Sequence, residues 1–85
     1  MSAVQPQDKR LAEAVAVLIE AIHREVPAAS MRPLAPYDDE DFTLEVRIPA
    51  GMARDTGMAL CMRHALAVED QVGLLILTRV KAAPA

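Results

Sequence analysis

Leu74-Leu75-Ile76-Leu77 opens a run that reaches Val80, directly after a helix-like stretch and Gly73. A strand with one wet face alternates apolar and polar residues, and this one does not. Four consecutive apolar residues mark a strand covered on both faces, the usual state of a central parallel strand. A chain of 85 residues has little material to cover both faces. The run therefore points to a partner subunit as well as to a sheet.

Upstream, Phe42 to Ile48 alternates cleanly. Phe42, Leu44, Val46 and Ile48 point one way, and Thr43, Glu45 and Arg47 the other, which reads as a half-buried strand near a sheet edge. Pro49 ends it. Between the two strands, residues 52–71 hold a second helix, with Met58, Cys61, Met62, Ala65, Val68 and Val72 as its inward stripe and Gly73 as terminator. A helix of ~17 residues is ~25 Å long, and a strand of seven spans ~23 Å. The helix thus returns the chain to the level where the first strand began. The two strands are expected to be parallel and the crossover right-handed.

Ahead of this unit, residues 7–26 read as an amphipathic helix, with Leu11, Val15, Leu18, Ile19, Ile22 and Val26 on one face. Asp8 suits its positive end, and Pro27 stops it. Glu20 stands four residues ahead of Arg24 as a supporting pair. Residues 27–41 read as a connector, stiffened by Pro33 and Pro36 and kept in water by the acidic run Asp38 to Asp41. The expected fold is a small α/β (α+β) domain over residues 1–85. Its order is helix-strand-helix-strand with two parallel strands, the ends at 1–6 and 81–85 fray, and a partner subunit completes or covers the sheet.

Composition narrows the function. Apolar residues make up 53% of the chain, yet only Tyr37 and Phe42 are aromatic, so the core is aliphatic. A domain this short buries only ~60–65% of its unfolded surface and needs added support. Cys61 is the one cysteine and excludes an intrachain disulfide; oligomerisation is the support that remains. A net charge of −3 and a pI near 5.2 argue against a general nucleic-acid binder. Residues 1–6 lack the charged-then-apolar pattern of a signal peptide. No run approaches the ~20 apolar residues of a membrane span. The expectation is a cytoplasmic protein, and the excess of Arg over Lys with abundant Ala fits a GC-rich bacterial genome.

Few residues are placed for chemistry. Cys61 and His64, three apart on the second helix, have the spacing of two metal ligands or a thiolate–imidazole pair. A zinc site wants two more ligands, and burial as a small hydrophobe accounts for Cys61 better. Asp38 to Asp41 lacks the alternating oxygens and glycine of a calcium loop. Gly51-Met52-Ala53-Arg54-Asp55-Thr56-Gly57 follows a strand and opens a helix, where α/β proteins hold phosphates, but it matches neither the dinucleotide fingerprint nor the P-loop. Met58 and Met62 read as core filling; Met31 and Met52 lie in connectors.

With no catalytic residues, metal site or cofactor assigned, the sequence reads as a non-enzymatic interaction or accessory module acting as a homodimer. Its partners are itself and another protein; no membrane is expected, and nucleic acid ranks third. The alternative is a ligand-binding or enzyme subunit that holds an anionic group through Gly51, Arg54 and Thr56.

Overall fold

The computed structural model describes residues 6–35 and 41–82. The elements are α1 (Pro6–Glu25), β1 (Ser30–Leu34), β2 (Phe42–Ile48), α2 (Arg54–Val72) and β3 (Ile76–Ala82). They form an α+β small domain in which two helices cover one face of a three-stranded mixed sheet, ordered β1-β2-β3. β1 runs antiparallel to β2 and β3 parallel to it, with α2 between β2 and β3 in the chain.

α1 buries the stripe its spacing predicts. Leu18 and Ile22 are fully enclosed with Ala14, Val15 and Val26, while Leu11 and Ile19 pack at the margin. Glu20 and Arg24 pair at 3.1 Å on the exposed side, a contact worth only ~0.3–0.5 kcal/mol. The side chain of Asp8, expected near the cap, lies outside the described residues.

Three expectations about the sheet are corrected. First, the connector at 27–41 contains a strand: residues 30–34 pair with β2 from Ser30↔Arg47 to Leu34↔Thr43. Alternation is weak there because Ser30, Arg32 and Pro33 are all exposed. Pro33 is tolerated because this is an edge strand. It stands opposite Leu44, and Phe42 donates to Leu75 O. By alternation, the even-numbered residues of β2 turn their backbone groups toward β3, so no hydrogen bond across to β1 is lost at Pro33. Second, β2 lies at the centre of the sheet, and its polar side is not solvated: Thr43 and Glu45 are buried. Third, β3 is an edge strand, not a central one, and Leu75 and Leu77 are 42% and 41% exposed.

α2 turns its small residues to the sheet. Gly57, Cys61, Ala65 and Val68 are its buried positions. A Cβ on Gly57 would stand 3.0 Å from both Cδ1 and Cγ2 of Ile48, so glycine permits this close approach. The larger Met58 and Met62, expected inside, are rotated out and 40% and 56% exposed. Met31 and Met52 instead pack against the core. Gly73 ends the helix in the left-handed region at φ 73°, its N–H bonding Glu69 O at 2.8 Å. Asp41 then clasps the next segment: its N–H donates to Leu75 O, and its Oδ2 accepts from Leu75 N–H, both at 2.8 Å. The rest of the acidic run, Asp38 to Glu40, lies outside the described residues.

Candidate interaction surfaces

The residues singled out for anion binding do not converge. After β2 a turn closes with Met52 N–H on Pro49 O at 3.1 Å, and α2 starts at Ala53 without a side-chain cap. Gly51, Arg54 and Thr56 are all exposed. Arg54 and Thr56, two apart on a helix, project to different sides. Thr56 borders a shallow groove with Glu25, Asp55 and Arg63, which neither Gly51 nor Arg54 lines.

Cys61 and His64 also part company. Cys61 is 1% exposed among the core residues, and burial pushes its thiol up to about 11. His64 turns instead to Glu25 at the end of α1, hydrogen-bonded to Oε2, while Arg63 reaches the same carboxylate at 2.7 and 2.9 Å. This cluster ties α1 to α2. Among the described residues, no group of three or more His, Cys, Asp or Glu is placed to hold a metal ion. No described helix is long and apolar enough to cross a membrane.

Two surfaces stand out that single-residue motifs did not indicate. One is the sheet face away from the helices. The register places Ser30, Arg32 and Leu34 of β1 beside Arg47, Glu45 and Thr43 of β2, and these beside Lys81, Arg79 and Leu77 of β3. Glu45, 1% exposed, is the hub of this face. Arg32 Nε donates to its Oε2 at 2.5 Å, Arg47 Nε lies 3.7 Å from the same oxygen, and Lys81 Nζ stands 3.1 Å from Oε1. The hydrogen bond from Arg32, then the contact with Lys81, hold the Glu45 carboxyl below its ordinary range against the opposing effect of burial. Among the described residues, the strands bring four cations and one carboxylate to this face, on a chain of net −3. The sequence carried the signal: Arg79 and Lys81 alternate with Thr78 and Val80, so both cations fall on one side.

The second surface is the free side of β3. Because Leu75 O accepts from Phe42 N–H, the odd-numbered residues of β3 turn their backbone groups to β2. Those of Ile76, Thr78 and Val80 therefore point outward. The opposite edge, β1, is short and carries Pro33, which blunts it; β3 has seven residues and no proline. α2 packs on β3 and on α1, and α1 lies over Phe42 of β2. The flank of α2 turned from α1 therefore overhangs the free edge. Met58, Met62 and Leu66 recur every four residues outside the buried positions of α2, the last two both 56% exposed. By helical spacing they fall on the side away from His64, which contacts α1.

A search of protein-family models found no match, and neither the curated proteins nor the solved structures yielded one.

The paired carboxylates set an acid limit. Glu25, held down by the hydrogen bond from His64 and then by Arg63, and Glu45 both have folded values below the ordinary 4.5. Each stabilises the fold fully above that unfolded value, and the contribution is lost as pH falls through the folded one. Urea midpoints should thus hold steady down to about pH 5 and fall below it. In Glu45→Gln the fall should be shallower. A variant as acid-sensitive as the parent would remove Glu45 from this account.

Proposed function

We propose that this chain is a small, non-enzymatic, cytoplasmic interaction module that works as a homodimer, its two sheets joined edge to edge through β3. A reducing compartment suits its single free thiol, Cys61. The crossover from β2 through α2 to β3 is taken as right-handed, the common hand. The observation that carries the reading is the coincidence, on one flank, of a free proline-less edge and the ridge Met58, Met62, Leu66.

A two-fold axis normal to the sheet pairs this edge with itself antiparallel, as an isologous contact requires. Centred on Thr78, the register sets Ile76 against Val80 and Leu77 against Arg79 of the second copy. A register centred on Arg79 would oppose two arginines and is disfavoured. Burying each half-exposed ridge residue supplies about half of the ~1.5–3 kcal/mol available to a fully buried aliphatic side chain.

Light scattering tests the reading. The wild type should have the mass of a dimer at tens of micromolar, a range in which even weak dimers form. Leu66→Glu and Thr78→Pro should each give a monomer, the first with an unchanged circular dichroism spectrum. A wild-type monomer in that range would remove the dimer.

A further inference from the structure

We infer that the sheet face away from the helices docks an extended protein segment that carries both acidic and aliphatic side chains. This deepens the interaction-module reading by naming the chemistry of the partner, and it does not need the dimer. The face is divided. At the end nearest the acidic connector it is aliphatic and polar, with Leu34, Thr43 and Leu77 side by side across the three strands. Leu77 is substantially exposed there, and Leu75 precedes it on the same side. Further along, Arg32, Arg47, Arg79 and Lys81 surround the buried Glu45.

Glu45 acts here as a positioning residue. It engages Arg32 and Arg47 through their Nε atoms, and both side chains stay at least half exposed. A guanidinium held at Nε keeps further N–H donors of a geometry suited to a carboxylate. Between them, Ser30, Met31, Arg32, Glu45 and Arg47 line a groove of about 360 Å³. Neighbouring strands stand ~4.8 Å apart and same-face residues ~7 Å apart along a strand. Acidic side chains on alternate positions of an extended peptide match that second spacing.

A nucleic-acid strand fits the face less well. Phe42 lies on the helix-covered side against α1, so among the described residues no aromatic stands ready to stack a base. A net charge of −3 also works against a long polyanion. Exposed Leu77 has no counterpart in a phosphodiester backbone, and an aliphatic peptide side chain supplies one.

The experiment is a fluorescence-anisotropy titration of the full chain with three labelled probes at low and moderate salt. They are a short peptide alternating glutamate with leucine, the same peptide with serine for leucine, and an oligothymidylate of similar charge. The expected result is tightest binding of the first peptide. That binding should weaken about tenfold, equivalent to ~1.4 kcal/mol, in the double variant Arg47→Gln, Lys81→Gln. Leu77→Ser, at an exposed position that leaves the cations in place, should remove the preference for leucine over serine. Equal or tighter binding of the oligonucleotide would make the face a phosphate surface and overturn the proposal, as would no binding of either peptide. Light scattering on the same samples reports the dimer separately, so either reading can fail alone.

Discussion

Replacing Cys61 with aspartate is expected to leave the chain unfolded near neutral pH. Cys61 is 1% exposed and embedded in an aliphatic core with Ala65, Val68, Leu44 and Ile48. The described core residues it joins are all apolar, and burial of a carboxylate in such surroundings shifts its pKa by ~3–5 units. At ~1.4 kcal/mol per unit, the cost is roughly 4–7 kcal/mol. A chain of 85 residues has only ~4–13 kcal/mol of stability to lose, and small domains lie low in that range. Cys61→Ala differs in kind: it leaves a small apolar void and costs on the order of 1 kcal/mol. Far-UV circular dichroism and urea titration separate the two. A folded, cooperative Cys61→Asp variant would show that the thiol is not where the packing places it.

The thiol also reports on itself. With its value raised to about 11 from an ordinary 9.0 by burial, the folded state resists ionisation that the unfolded state allows. Its contribution is complete below pH 9 and is lost as pH rises toward 11. Thiol reagents at pH 8 should therefore label Cys61 at the rate of unfolding, and rapid labelling of folded protein would contradict its burial.

Gly57→Leu is the second large effect. Its Cβ alone would meet two methyl carbons of Ile48 at 3.0 Å and Cγ1 of Val80 at 3.4 Å. Three more carbons have no space unless α2 lifts from β2 and β3. Overpacking of this kind costs ~1–3 kcal/mol or more, and the lost seating of Cys61 and Ala65 adds to it. Leucine's helix propensity returns only ~1 kcal/mol. The net expectation is a loss of ~2–4 kcal/mol, read as a lower urea midpoint. Gly57→Ala should change stability by less than ~1 kcal/mol, because the same propensity gain opposes a shift of a few tenths of an ångström. A Gly57→Leu variant as stable as the parent would mean that this helix does not seat on Ile48.

Residue spacing along the chain specified the local elements. The heptad-like stripe from Leu11 to Val26 specified α1, the alternation from Phe42 to Ile48 specified β2, and Gly73 ended α2 because only its left-handed φ closes the last turn. These signals are periodic and short-range, so no partner in space was needed to read them. Sheet order was another matter. Residues 30–34 have no pattern of their own and became a strand because β2 offered them an edge. The apolar run at Leu74 to Leu77 stated only that these side chains avoid water, not whether cover would come from this chain.

The candidate surfaces divide in the same way. Arg79 and Lys81 were visible as alternating charges, but Arg32, Arg47 and Glu45 joined them only through the pairing registers of three strands. Spacing alone turns Met58 and Met62 inward, and the structure turns them out, for a similar reason. A wheel of α2 shows apolar residues almost all round, and the choice of inward face fell to the close contact at Gly57, a tertiary constraint. Which residues form a helix or strand follows from spacing along the chain. Which faces are left for a partner follows from what the other elements have already covered.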